Sequence, residues 1–297
     1  MKILNFGSLN LDHVYSVGHI VRPGETILSD RLESGCGGKG LNQSIAVSRA
    51  GGSVFHAGKI GPDGHLLREA LENAGVNTDF LSQSSLPTGH AIIQVDRNGQ
   101  NSIVLYSGAN HDIDEPYLNG VLSHFQAGDL LMLQNEISNM PEIMQAAHAR
   151  GIQIALNPSP ISKDLLEYPL NDVKWFLLNE IEGEALTGKT TPQGIADSLL
   201  GRYPGSAVVL TLGRRGVHYQ DAERTVRHGV YRVDPIDTTA AGDTFTGFFI
   251  AGVSQKLKME EILRRASVAS SLAVSRKGAS QSIPSLEEVL QSHLALE

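Results

Sequence analysis

Residues 237–252, DTTAAGDTFTGFFIAG, set three small residues, Ala240, Ala241 and Gly242, directly ahead of an acid, Asp243, and a Phe- and Ile-rich helical pattern. The first N–H groups of a helix have no partner inside it and carry partial positive charge, so they can hold an oxyanion. Small side chains let that anion come close to the amides. Asp243 falls in the first turn, aimed at the same point. A carboxylate beside an anion hole makes chemical sense if it takes the proton of a hydroxyl attacking a bound phosphate. The plain alternative is an Asp that caps a helix behind a tight turn.

A second cluster, GCGGKGLN at 35–42, pairs glycines that admit a ligand to the backbone with the charge of Lys39 and the amide of Asn42. NLDH at 10–13 follows the first strand pattern, so Asn10 and Asp12 are expected at the C-terminal end of a strand, where open α/β sheets bind ligands. Glu136 follows the apolar run LLMLQ in the same way. Each alone is an ordinary surface polar residue. Asp and Asn can each hydrogen-bond sugar hydroxyls, and polar strand ends converging on one crevice would be less easily dismissed.

GEALTGKT at 183–190 fits the phosphate-loop pattern G-x-x-x-x-G-K-[ST] letter for letter. A working loop of that kind needs its first glycine directly after a buried strand and its Lys-Thr opening a helix. Here the strand pattern ends before Gly183, Asn179 reads as an N-cap, and Gly188 reads as the glycine that stops a helix. Pro192 suits the first turn of the next one. The match is therefore read as accidental.

The positioning elements follow from periodicity. Strands are expected in KILNFG, SVFHAGKIG, DLLMLQ, IQIALN, VKWFLLN and AVVLTLG, with helices at 39–50, 63–75, 141–150, 180–187, 192–202, 242–255 and 259–275. In 63–75, Asp63 is the expected N-cap, Gly75 the C-cap, and Leu66, Leu67, Ala70, Leu71 and Ala74 the buried face. This alternation argues for a mostly parallel sheet between helical layers. Two stretches break the rhythm: 12–34, and 87–109 with a hairpin signal at Asn98-Gly99. They are expected to form a small β lid inserted into a single domain.

The 297 residues are 41% apolar and 19% charged, an ordinary globular composition, and the net charge of −8 argues against a nucleic-acid partner. One cysteine, Cys36, excludes an internal disulfide. No apolar run is long enough for a membrane span and the start lacks a signal-peptide pattern, so the expected setting is the cytosol. The eleven histidines include no zinc-ligand spacing.

NLDH, PGET, GGKGLNQ, SGAN, LNPSP, NEIEGEALTG, TLGRRGV, DTTAAGDTFTG and SRKGASQSIP, taken in this order, resemble the ribokinase family of sugar kinases, also called the phosphofructokinase-B family. GGKGLN and DTTAAGD correspond to its two signatures, and the resemblance spans nearly the whole chain. It implies a three-layer α/β/α fold with a β lid, and transfer of the γ-phosphoryl group of ATP, with Mg²⁺, to the primary hydroxyl of a pentose. D-ribose is the first expectation; deoxyribose, a ketohexose or a nucleoside are the alternatives. By resemblance, Asn10, Asp12, Gly38, Lys39, Asn42 and Glu136 contact the sugar, Asp243 is the base, and the amides of 240–243 form the anion hole. Asn179, Thr211, Gly213, Gly216, Gly242 and Ser267 match nucleotide-binding positions. Asp237, Thr239, Ala273, Arg276, Gly278 and Ser282 match a monovalent-cation loop that takes K⁺. A homodimer through the lid is also implied. Asn135 departs from the family pattern, being polar beside Glu136.

Overall fold

Every residue of the run 130–134 is buried, which demands cover on both faces of a sheet. A computed structural model, which describes residues 1–297, supplies it. The chain begins β1 (Ile3–Phe6), β2 (Asn10–Ser16), β3 (Arg31–Gly37), α1 (Lys39–Arg49), β4 (Val54–Ile60) and α2 (His65–Asn73). It continues with β5 (Asn77–Gln83), β6 (Gly89–Val95), β7 (Asn101–Tyr106), α3 (Glu115–Leu122), β8 (Leu130–Gln134), α4 (Met140–Ala149) and β9 (Gln153–Asn157). It then forms β10 (Val173–Asn179), α5 (Glu180–Thr187), α6 (Pro192–Arg202), β11 (Ala207–Thr211), β12 (Val217–Gln220) and β13 (Thr225–His228). Last come α7 (Ala241–Ser254), α8 (Met259–Val274) and α9 (Leu286–Leu290).

The main sheet has the order β13-β12-β11-β10-β9-β8-β1-β4-β5 and is parallel from β11 to β5. Successive side chains of a strand point to opposite faces, so Leu130 and Met132 enter one core while Leu131 and Leu133 enter the other. The first core packs against α1, α2, α7, α8 and α9, and the second against α3 to α6. The cores hold 35 and 29 buried residues, close enough in size to make this a three-layer α/β/α fold. Both rhythm-breaking stretches meet in a separate four-stranded sheet, β3-β2-β6-β7.

The helix at 63–75 differs from expectation at its start. α2 begins at His65 behind Gly64 with no side-chain cap. Asp63 instead accepts the N–H (2.9 Å) and hydroxyl (2.6 Å) of Thr88. Thr88 is fully buried and has to be satisfied, which outweighs a cap. Leu66 is exposed, while Leu67 and Leu71 are buried, so the buried stripe is narrower than expected. Gly75 does end the helix, at φ +79°. Asn98-Gly99 sits within a longer loop: Asp96 accepts the N–H groups of Asn98 and Gln100, and only Gly99 has positive φ. The sequence reading missed β5, β12, β13 and α3. β12 and β13 are four residues each, too short for a periodic signal, and their antiparallel pairing extends the sheet beyond β11. α3 is announced by Asp114, which caps it by accepting the Tyr117 N–H.

Candidate active site

α1 and α7 lie so close that a Cβ on Gly247 would sit 2.8 Å from the Val47 nitrogen. That contact brings together residues about two hundred positions apart. Ala240 takes a left-handed conformation, φ 58°, and turns the chain into α7; the Ala241 N–H reaches the Thr238 carbonyl at 3.3 Å, and a Cβ on Gly242 would meet nothing within 4 Å. Asp243 in the first turn is 7% exposed. Its carboxylate accepts from Asn42 Nδ2 at 3.1 Å and from Gln43 Nε2 at 2.9 Å, both near the start of α1.

The expected sugar-side residues gather at that end of α1. A Cβ on Gly38 (φ +93°) would crowd the Ser8 carbonyl and the Asn10 nitrogen, and one on Gly37 would strike the Asp12 carboxylate. Glycines here let the β3–α1 corner close over the end of β1. The Glu136 carboxylate accepts the Ser8 hydroxyl and the Lys39 N–H (3.2 Å). Asn10 Oδ1 accepts from Asn110 Nδ2 at 2.8 Å. Burial, with Glu136 close by, pushes the Asp12 carboxyl up to about 6. Burial also raises the Glu136 carboxyl, against the opposing pull of Lys39. The Asp243 carboxylate, ahead of Glu136 and Glu182, holds the Lys39 ammonium above its usual value and keeps it charged.

From Lys39 and Asp243 a cleft of about 220 Å³ runs past Asn157, Asn179, Glu182, Thr211 and the 240–242 bend. It joins a second hollow of about 140 Å³ lined by Gly213, Gly216, Gly229, Ser267 and Ser270; the two share Thr211, Ala241, Gly242 and Phe245. All six expected nucleotide-side residues therefore border one trough that leads from the Asp243 carboxylate. Gly216, at φ +82°, has no room for a Cβ against the His228 carbonyl, and that close approach shapes the far hollow. The Asn179 side chain is partly committed: with Glu182 it forms a capping box on α5.

Three of the expected cation residues, Asp237, Thr239 and Gly278, meet directly. Asp237 Oδ1 accepts from Thr239 N (2.9 Å) and Oγ1 (2.6 Å), and Oδ2 accepts from Gly278 N at 3.0 Å. These bonds, working against partial burial, hold the Asp237 carboxyl below the usual range. Ser282 donates to the Ala279 carbonyl, the Ala273 carbonyl accepts the Arg276 N–H (3.0 Å), and the Arg276 guanidinium pairs with Glu288. Arg49, closing α1, donates to the carbonyls of Ser280 and Ile283 in the same loop.

Sequence reasoning missed Gln43, Asn157 and Glu182. Glu182 is 8% exposed on the cleft wall; its place three residues after Asn179 reads as a capping box and hides any second role. Asn157, at a strand end, and Gln43, inside a helix, carry no signal in the sequence that marks them. Asn135, flagged for its place beside Glu136, donates to the Pro160 carbonyl (2.7 Å) and Ser162 Oγ (3.1 Å) and accepts from Tyr168. None of those partners lines the cleft. GEALTGKT is not a phosphate loop. Its first residues belong to α5, Gly188 ends that helix at φ 70°, and Lys189 is exposed outside the cleft.

The sequence profile of pfkB family carbohydrate kinases matches residues 1–286, and the chain belongs to that family. Among relatives, it is 34% identical over 294 residues to the ribokinase of Haemophilus influenzae, covering 96% of each chain. The crystal structure of ribokinase from Cryptococcus neoformans in complex with ADP superposes with a TM-score of 0.86 at 32% identity, covering 98% of this chain and 99% of the other. The Arabidopsis thaliana ribokinase complexed with ribose and ATP gives a TM-score of 0.85 at 30% identity, covering 98% of this chain and 97% of the other.

Proposed function

We propose that the protein transfers the γ-phosphoryl group of ATP to the O5 hydroxyl of D-ribose, with Asp243 as general base. The observation that carries this is the trough itself. Lys39 lines one end, with Glu136 on its N–H, Asp12 near Glu136 and Asn42 on the Asp243 carboxylate; at the other end lie Thr211, Gly216 and Ser267; Asp243 and the 240–242 bend stand between. The relatives whose names specify ribose, and the neighbour complexed with ribose and ATP, support the same substrates.

Asn10, Asp12, Gly38, Lys39, Asn42 and Glu136 hold the sugar with its primary hydroxyl toward the γ-phosphorus. Asp243 takes the hydroxyl proton as the O5–P bond forms and the bond to the β,γ-bridging oxygen breaks, releasing ADP. The 240–243 amides and the charged Lys39 offset charge developing on the transferred oxygens, which is the main work in phosphoryl transfer. Asn179, Thr211, Gly213, Gly216, Gly242 and Ser267 bound the nucleotide. Mg²⁺ accompanying ATP supplies further charge neutralisation, and the buried Glu182 carboxylate on the cleft wall suits it, directly or through water. The loop of Asp237, Thr239, Ala273, Arg276, Gly278 and Ser282 offers a carboxylate and main-chain carbonyls, an oxygen donor set that fits K⁺. A cation there would brace the bend without touching substrate. The four-stranded sheet acts as a lid over the sugar, and its exposed edge β7 pairs two copies in a homodimer. The expected setting is the cytoplasm; no helix is long and apolar enough to cross a membrane.

Incubation with ATP, Mg²⁺ and a panel of ribose, 2-deoxyribose, ketohexoses and nucleosides, followed by product identification, tests the substrate. Ribose 5-phosphate as the dominant product is expected, and a faster reaction on another acceptor would overturn the choice. Asp243→Asn is expected to lower kcat by about 10²- to 10⁴-fold with sugar binding retained. Near-normal turnover in the folded variant would remove Asp243 from its role.

A further inference from the structure

Three buried amide side chains, Asn5, Gln134 and Gln43, form a hydrogen-bonded relay that ends on Asp243, and the backbone fixes its direction. Asn5, on β1, donates through Nδ2 to the Gly40 carbonyl at 2.7 Å and to Ser44 Oγ at 2.8 Å. A main-chain carbonyl only accepts, so Asn5 Oδ1 has to face away, where it accepts from Gln134 Nε2 at 3.0 Å. Gln134 Nε2 also donates to Gln43 Oε1 at 2.8 Å. That leaves only the amide nitrogen of Gln43 to face the carboxylate, and it donates to Asp243 Oδ1 at 2.9 Å. Its other proton points to Asn157 Oδ1 at 3.4 Å, and Asn157 is itself tied to the Leu177 carbonyl at 2.8 Å. Main-chain carbonyls thus pin both ends, and no amide in the series can flip without setting oxygen against oxygen.

The relay is costly to keep. Asn5, Gln43 and Gln134 are at most 1% exposed, and Gln134 spends both protons while its Oε1 stays buried without a partner. A buried unpaired acceptor carries its full desolvation penalty, which packing alone does not explain. Asn42, by contrast, holds Asp243 Oδ2 from a sugar-side position, so its bond can be exchanged for one from the acceptor hydroxyl.

We propose that Gln43, backed by Gln134 and Asn5, is a positioning residue for phosphoryl transfer: it anchors Asp243 Oδ1 and thereby leaves Oδ2 as the atom that receives the hydroxyl proton. This rests on Asp243 being the base. The test compares Gln43→Met, Gln134→Met and the double variant with wild type, measuring kcat, KM for sugar and ATP, calorimetric sugar affinity and thermal midpoint. Misplacing a catalytic group by about 1 Å costs about 10²-fold, so Gln43→Met is expected to lose roughly 10- to 100-fold in kcat with sugar affinity within about threefold. Gln134→Met should lose less in the same direction, and the double variant should be no slower than Gln43→Met, as members of one relay behave non-additively. Folded single variants with kcat within about threefold of wild type would overturn the proposal. So would equal losses in kcat and sugar affinity, which mark a collapsed site. Should Gln43→Met not fold, Gln134→Met, which leaves the contact to Asp243 in place, carries the same two outcomes. Asp243→Asn separates the readings. An active Asp243→Asn refutes the base itself, whereas an inactive one beside a full-speed Gln43→Met refutes only the relay.

Discussion

At Asp12 the site holds a carboxyl whose ionisation the fold opposes. Its pKa rises from an ordinary 3.8 to about 6 because burial penalises the charged form and Glu136 adds like charge. Between those values the folded state binds more protons than the unfolded chain, so the contribution of Asp12 to stability falls as pH climbs and the penalty is complete above about 6. Asp12→Asn, which cannot ionise, should therefore gain thermal stability relative to wild type, with a difference that widens from about pH 4 to pH 7. The same variant should bind ribose more weakly, since a hydroxyl loses its charged acceptor. A stability difference independent of pH across that range, read by differential scanning calorimetry, would count against the burial account. An exchange of stability for the charged sugar contact proposed for Asp12 is what a binding site, unlike a core, is expected to make.

Individual elements differ in how openly the sequence declared them. α1 and α7 were legible because small residues and an acid or a lysine stand directly before helical patterns, and the same letters carry the chemistry. The buried strands β8 to β11 were legible as apolar runs. Gln43, Gln134 and Asn5 were not, because an amide in a helix or at a strand end looks the same whether it meets water or a carboxylate. Only three-dimensional closure turns Gln43 toward Asp243. Asp63 misled for a related reason: a nearby helix start is visible in sequence, whereas the competing demand of Thr88, 25 positions away, is not. The closure depends on the α1–α7 contact. A methyl group added at Gly247 would press on Ala46 and the Val47 backbone, neither of which is a flexible side-chain end. Gly247→Ala is expected to cost about 1–3 kcal/mol in urea unfolding and to slow turnover as Asn42 and Gln43 part from Asp243. Wild-type stability in that variant would mean the helices have slack that the contact does not suggest.

Taken as a whole, the molecule leaves an apolar edge strand uncovered on both faces. Ile103, Val104, Leu105 and Tyr106 of β7 are each 47–63% exposed, Ile92 beside them is 40% exposed, and β7 is the outer strand of the four-stranded sheet. An open edge with apolar side chains invites a second chain to pair with it. If the proposed homodimer forms there, Ile103→Lys together with Leu105→Lys should yield a monomer by light scattering coupled to gel filtration. The main sheet lies on separate strands, so the fold should survive. A dimer that persists in the double variant would place the contact elsewhere.

The approach of α1 to α7 also bears on how the protein comes into being. Lys39, Asn42 and Gln43 leave the ribosome early, while the bend at 240–243 follows some two hundred residues later. A polypeptide halted or clipped before that bend lacks Asp243 and the 240–243 amides, the groups to which the proposed mechanism gives the proton and the phosphate. On that mechanism, competence arrives all at once, late in synthesis, and partial chains should be catalytically mute.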